Sequence, residues 1–123
     1  MTRIAVVHKV TWTPEEWRRL EMLGDVCYSP DLPSGKEELL AHIGDAQIVI
    51  SATIVPFTSR VLEQSPSLQL LSIFSTGYNN VDLAAARRCG VTVTNVPGYS
   101  AHSVAEHAWA MVLHLAKRLR KAD

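Results

Sequence analysis

A short segment with two hydroxyls and a glycine, Ser75-Thr76-Gly77, directly follows residues 70–74, which are apolar apart from Ser72. A mainly apolar run of this length is typical of a strand that is covered on both faces. In an open parallel sheet, ligands bind outside the carboxyl ends of the strands. Glycine lets a ligand approach the backbone, and successive main-chain N–H groups that curl into a nest can hold a carboxylate. The segment predicts a site for a small organic acid, with an ordinary strand-to-helix turn as the alternative.

Two further hydroxyls follow neighbouring apolar runs. Thr53 stands just after residues 46–50, and Ser100 stands in the loop that follows residues 91–94. Either hydroxyl could bind the far side of a small acid, although a turn or capping role is the stronger interpretation of each residue alone. Ile54 offers no donor to a phosphate, which favours unphosphorylated acids.

Histidines near the end of the chain raise the question of a metal site. His107 and His114 share a helix face but lie about 10 Å apart at 1.5 Å per residue, too far to bind one ion. Glu106 and His107 are adjacent and point to different faces, so they cannot act as a pair. We predict no metal site, and we interpret these residues as polar side chains packed at a domain boundary.

Four ordered blocks make the sequence resemble the D-isomer-specific 2-hydroxyacid dehydrogenase family. They are TGYNNVDL at 76–83, Gly90-Val91, NVPGY at 95–99 and SVAEH at 103–107. Within the family, the sequence is most similar to the glycerate dehydrogenase branch, which includes hydroxypyruvate and glyoxylate reductases. The similarity is diffuse before residue 70 and sharp from 75 to 107.

The resemblance implies roles for individual residues. The loop Ser75-Thr76-Gly77 would hold the carboxylate of a 2-keto or 2-hydroxy acid, with Thr53 and Ser100 nearby. Thr76 and Val104 would also lie against NAD or NADP in the parent protein. The family's catalytic arginine, glutamate and histidine lie further along the chain than this sequence extends, so no catalytic residue is assigned here.

The glycines do not form a dinucleotide-binding motif. The six glycines stand at 24, 35, 44, 77, 90 and 98, and no two have the G-x-G spacing that cradles a pyrophosphate. The chain is therefore expected to bind no cofactor tightly and to be inactive alone, as the substrate-binding part of a two-domain enzyme. The alternative is an interaction module, since corepressors that resemble this family bind short peptides through the corresponding domain.

The order of the predicted elements defines the fold class. Strands at 3–8, 25–29, 46–50, 70–74 and 91–94 are separated by helices that begin after Thr13 and span 37–43, 59–64 and 82–89. This alternation predicts a three-layer α/β fold with a five-stranded parallel sheet. We expect the flavodoxin-like order 2-1-3-4-5. Residues 1–100 would form the substrate-binding domain, and residues 101–123 a long helix leading to a missing dinucleotide-binding domain.

The long C-terminal helix is apolar around most of its circumference. It begins near Ser100, or at Ser103, which has the spacing of a capping box with Glu106. A helix of this kind is normally buried on all sides. In the isolated chain it should fold back onto its own sheet or pair with a second copy through residues 101–121. Basic residues at 117, 118, 120 and 121 complement the helix dipole.

Composition limits the partners and the location. Twelve basic residues balance twelve acidic ones among 123 residues, so we expect binding to neither nucleic acid nor a membrane surface. Neither a membrane-spanning run nor a signal-peptide pattern is visible, and we expect a cytoplasmic protein. Cys27 and Cys89 fit no metal or redox spacing and are interpreted as free thiols in packing positions.

Overall fold

The structure is a computed structural model that describes residues 1–118 of the chain. The five strands are β1 (Arg3–Val7), β2 (Asp25–Ser29), β3 (Ile48–Ser51), β4 (Leu70–Ile73) and β5 (Thr92–Thr94). All neighbouring strands are parallel, in the order β2-β1-β3-β4-β5. The predicted flavodoxin-like order is confirmed.

The helices within the described residues are α1 (Pro14–Glu21), α2 (Lys36–Ile43), α3 (Ser59–Glu63), α4 (Leu83–Arg88) and α5 (Ala101–Lys117). The predicted start of α1 is confirmed, because Thr13 and Glu16 form a reciprocal capping box. Gly44 and Gly90 follow α2 and α4 with φ of 54° and 72°. Both glycines therefore end their helices, since glycine adopts backbone with positive φ without steric cost.

The hydrophobic core lies on one face of the sheet, against α2, α3 and α4. Successive side chains of a strand point to opposite faces, and in β3 and β4 every second residue is buried. Val49 and Leu71 are fully buried in a cluster with Leu39 of α2, Leu62 of α3 and Ala85 of α4. This packing fixes the carboxyl ends of the central strands.

The opposite face is covered in part by α1. Val6 alternates with the core-facing residues of β1, is fully buried, and pairs in register with Tyr28 of β2. The ring of Tyr28 lies 4.9 Å from that of Trp17 in α1, measured between centroids. Helix α1 thus completes the third layer over β1 and β2, whereas Ile50 and Leu70 on the same face stay half-buried.

Helix α5 begins after Ser100, which is one of the two predicted starts, but its packing differs from the prediction. Ser103 lies inside the first turn and forms no capping box with Glu106. No residue of α5 is buried, and Trp109 is 66% exposed. The prediction that this helix folds back onto its own sheet is wrong, because none of its residues is buried against the sheet. Pairing with a second copy and the domain division at residue 100 stay predictions. Residues 119–121 of the predicted interface, with Arg120 and Lys121, lie outside the described residues.

The two cysteines are free thiols, as predicted, but both are exposed. Their interpretation as packing residues is wrong, because Cys27 lies in the edge strand β2 and Cys89 ends α4 at the surface. Within residues 1–118, no helix combines the length and apolar character needed to cross a membrane.

Candidate functional site

The carboxyl ends of the strands meet at one edge of the sheet. Val7 of β1 pairs with Ser51 of β3, and Ser51 pairs with Ile73 of β4. Because these strands are parallel and in register, the loops that follow them leave the sheet at the same level. Strand β5 lies beside β4, with Thr94 paired to Ser72. The edge that the sequence predicts for ligand binding is therefore formed.

Main-chain donors in the loop after β4 are unpaired. Within the described residues, the N–H groups of Ser75, Thr76 and Gly77 donate to no protein acceptor. Thr76 and Gly77 are also exposed to solvent. Unpaired N–H groups at successive positions can donate charge-assisted hydrogen bonds to a carboxylate.

The shape of this loop differs from the predicted nest. A compact nest alternates right-handed and left-handed residues. Gly77 does not have a positive φ, and the non-glycine residues with positive φ in the described part of the chain are His8 and Arg118. The loop therefore presents its donors without a left-handed residue.

Asn95 and Val96 of the loop after β5 orient these donors. The Nδ2 of Asn95 donates to the carbonyl of Thr76 at 2.7 Å, and the N–H of Val96 donates to the carbonyl of Ser75 at 3.0 Å. In a trans peptide, the C=O and the following N–H point in opposite directions. Because both carbonyls face the β5 loop, the N–H groups of Thr76 and Gly77 point away from it.

Thr53 lies on the other side of the β4 loop. A Cβ placed on Gly77 would lie 3.6 Å from Cγ2 of Thr53 and 3.4 Å from Oδ1 of Asn79. The half-buried Thr53 therefore lies one side-chain atom away from van der Waals contact with position 77. A side chain at position 77 would fill this space.

Asn80 joins the loop after β4 to the loop after β3. Its Nδ2 donates to the carbonyl of Val55 at 2.7 Å and to that of Ala52 at 3.3 Å. Phe57 completes the connection, since its N–H donates to the carbonyl of Asn80 and its carbonyl accepts the N–H of Asp82. The sequence analysis assigned no role to Asn80 or Asn95, although asparagine in a loop commonly bonds to nearby backbone.

The predicted residues Ser100 and Val104 lie elsewhere on this edge. Ser51, which ends β3, is fully buried, and its hydroxyl donates to the carbonyl of Val7 at 3.0 Å, so it joins β3 to β1. Ser100 is the residue before α5, and its carbonyl accepts the N–H of Val104 at 2.9 Å. Val104 is 63% exposed. The structure brings Thr53 beside the 75–77 loop, whereas Ser100 and Val104 belong to the start of α5.

The histidines of α5 are exposed, and their interpretation as polar residues at a domain boundary stays a prediction. His102, His107 and His114 all lie on the exposed helix. Across residues 1–118, no group of three His, Cys, Asp or Glu side chains is placed to hold a metal ion.

The parallel sheet and the unpaired main-chain donors at its carboxyl edge define an α/β domain. Residues 4–116 match the catalytic domain of the D-isomer specific 2-hydroxyacid dehydrogenases. The chain belongs to this family.

Sequence alignments with two relatives extend over most of this chain. The hydroxypyruvate reductase of Blautia hydrogenotrophica is 35% identical over 101 residues, which are 81% of this chain and 31% of that protein. The glyoxylate reductase of Thermofilum pendens is 30% identical over 109 residues, which are 85% of this chain and 32% of that protein. An acyclic imino acid reductase (Bsp5) solved with NADPH and D-Arg has a TM-score of 0.88 at 25% identity, covering 99% of this chain and 39% of that one. The chain thus spans about a third of the length of these curated relatives.

Proposed function

We propose that this chain is the substrate-binding part of an NAD(P)-dependent oxidoreductase that interconverts small 2-keto acids and D-2-hydroxy acids. Glyoxylate and hydroxypyruvate are the proposed keto acids. The observation that supports this best is the pair of unpaired N–H groups of Thr76 and Gly77, turned away from the β5 loop. The names of the two curated relatives support the same substrate class.

In this proposal, the substrate carboxylate accepts hydrogen bonds from the N–H groups of Thr76 and Gly77. Ser75 begins the loop, and Ser100 offers a hydroxyl from the start of α5. The methyl group of Thr53 is its closest atom to the position that a Cβ on Gly77 would take, so Thr53 supplies an apolar surface beside the carboxylate. Ile54 is 58% exposed and carries no donor for a phosphate, which favours an unphosphorylated acid.

Reduced nicotinamide would supply the hydride when bound to the parent protein. The residues of this chain do not form a pyrophosphate cradle, because none of its glycines has the G-x-G spacing. Thr76 and Val104 are the residues proposed to face the cofactor. We therefore expect that NADH oxidation in the presence of glyoxylate or hydroxypyruvate is no faster with the 123-residue chain than in buffer alone. A rate above that of buffer would contradict this expectation.

Calorimetric titration tests the substrate site directly. Glyoxylate should bind the wild-type chain, and Gly77→Val should weaken binding about tenfold or more, since its side chain fills the space beside Thr53. Gly35→Val is the matched control, because a Cβ at Gly35 meets nothing within 4 Å. Equal binding by Gly77→Val and wild type would contradict the proposal.

The exposed apolar surface of α5 indicates that a protein partner covers this helix. We propose that the partner is a second copy of this chain. Met111 and Leu115 are 51% and 75% exposed, and apolar surface of this extent is typical of an interface. Trp109→Glu should shift a dimer to monomer in sedimentation velocity, whereas His102→Glu on the same helix should not. A wild-type monomer at all concentrations would contradict the dimer.

The same exposed helix also fits the alternative function, an interaction module of the corepressor type that binds short peptides. A peptide pull-down compared with titration of small 2-keto acids separates the two functions, because an interaction module would retain peptide and ignore the acids. The cytoplasmic location stays a prediction.

A further inference from the structure

His8, the residue directly after β1, combines two unfavourable features that its role in the fold does not explain. Its φ is 98°, in a backbone region that residues other than glycine rarely adopt. Its Nδ1 atom is buried and has no hydrogen-bond partner within the described residues. Backbone strain and an unpaired buried polar atom both cost free energy, and they concentrate at ligand-binding sites.

The strand order places His8 at the predicted ligand crevice. In the order β2-β1-β3-β4-β5, the chain moves from β1 to one side of the sheet and later returns to the other side at β3. Ligands of open α/β sheets bind at this switch point between β1 and β3. Because Val7 pairs with Ser51, His8 leaves the sheet at the same level as the loop that contains Thr53.

The loop after β1 also reaches the loop that carries the carboxylate donors. The ring of Trp12 lies 6.4 Å from that of Phe74, the residue before Ser75, measured between centroids. The N–H of His8 donates to the carbonyl of Ser29 at 2.9 Å, which anchors the start of this loop on β2. The loops that follow the non-adjacent strands β1 and β4 therefore lie close together at these two rings.

The surroundings of the imidazole define which nitrogen can donate. In neutral histidine, one ring nitrogen carries the proton and the other carries a lone pair. The buried Nδ1 of His8 has no acceptor for a proton, so the proton is better placed on Nε2. In the described part of the chain, Nε2 makes no hydrogen bond and is not among the buried unpartnered atoms. It is therefore open as a donor.

We propose that His8 determines substrate specificity by donating its Nε2–H to a hydroxyl on C3 of a three-carbon 2-keto acid. This inference rests on the proposed function, since it requires the acid's carboxylate to lie on Thr76 and Gly77. Hydroxypyruvate has a C3 hydroxyl, whereas glyoxylate has no third carbon.

The strand order separates the two groups. Strands β1 and β4 are separated by β3, so their axes lie two strand spacings apart, or about 10 Å. A three-carbon acid reaches about 2 Å further from its carboxylate than a two-carbon acid does, which favours contact with His8 by the longer acid.

Calorimetry of His8 variants with both acids tests the inference. His8→Leu removes the donor, so hydroxypyruvate should bind about tenfold more weakly while glyoxylate binding stays within about twofold of wild type. His8→Gln places its amide nitrogen near the position of Nε2 and should restore most of the hydroxypyruvate affinity. His8→Asn places its amide near Nδ1 and should not restore it.

The two amide variants separate a ligand role from a structural one. Asparagine tolerates positive φ better than most side chains, so a structural role would rank His8→Asn above His8→Gln in both thermal stability and binding. That ranking, or equal losses for both acids in His8→Leu, would overturn the inference and leave the proposed function standing. A wild-type chain that binds neither acid would overturn both.

Discussion

The side-chain amide of Asn95 donates a hydrogen bond to the carbonyl oxygen of Thr76 across 2.7 Å. These residues are 19 positions apart and belong to loops that follow neighbouring strands, β4 and β5. The bond fixes the peptide plane between Thr76 and Gly77, and with it the direction of the Gly77 N–H. Asn95 thus acts as a positioning residue for a donor that it does not itself supply.

Removal of this bond should weaken ligand binding more than it weakens the fold. Asn95→Ala should lower glyoxylate affinity about tenfold, because the Gly77 N–H loses its fixed direction, and should lower the free energy of unfolding by about 1 kcal/mol. Asn79→Ala is the control, since the side chain of Asn79 makes no hydrogen bond among residues 1–118. Calorimetry that shows equal affinities for the two variants would contradict this role.

Asn80 should matter more for stability. Asn80→Ala leaves the carbonyl of Val55 without its donor and the carbonyl of Ala52 with only the N–H of Val55, and we expect a loss of about 1–3 kcal/mol in the free energy of unfolding. Urea denaturation of Asn80→Ala and Asn79→Ala measures the difference. A smaller loss in Asn80→Ala than in Asn79→Ala would show that the connection between the loops contributes nothing to stability.

Gly24 is required by a close backbone approach. A Cβ at this position would lie 2.2 Å from the carbonyl oxygen of Thr2, so Gly24→Ala forces the start of the chain away from the turn before β2. We expect a destabilisation of about 2–3 kcal/mol by thermal denaturation. Gly35→Ala, where nothing lies within 4 Å, is the matched control and should change stability by less than about 1 kcal/mol.

Acid should weaken the capping box at the start of α1. The main-chain N–H and the hydroxyl of Thr13 donate to the Glu16 carboxylate and hold the pKa of Glu16 below its ordinary value of 4.5. Because the folded-state pKa is lowered, this stabilisation is full above the unfolded-state pKa and is lost as the pH falls through the folded-state pKa.

Glu16→Gln should therefore lose less stability than wild type between about pH 5 and pH 3 in urea titrations at each pH. Glu15→Gln changes the neighbouring carboxylate, which pairs with the exposed Arg18, and should follow the wild-type profile. Identical acid profiles for wild type and Glu16→Gln would contradict the role of the cap.

Patterns that are local in the sequence predicted most of the fold. The bounds of β2 are those predicted, and the start of α1 follows from Thr13, Pro14 and Glu16 because a helix cap depends on adjacent residues. The packing of α5 was not predictable in the same way. Its apolar periodicity indicates burial but does not identify the covering surface, and its own sheet does not provide one.

The candidate site was predictable only in its location. The strand ends indicated the edge and the Gly77 loop, but the bonds of Asn80 and Asn95 join residues 25 and 19 positions apart. Such contacts depend on strand order, which the sequence does not fix. The positive φ of His8 likewise depends on how the loop after β1 leaves the sheet, which no local residue pattern indicates.

The central claim is that the main-chain N–H groups of Thr76 and Gly77 bind the carboxylate of a small 2-keto acid. A titration of the ¹⁵N-labelled chain with glyoxylate, followed by amide chemical shifts, tests it most directly. The account predicts that the Thr76 and Gly77 amide protons shift downfield in a saturable way, while amides at the opposite edge, such as Gln47 and Gln69, stay unchanged. Saturable shifts elsewhere with Thr76 and Gly77 unmoved, or no shifts at all, would contradict it.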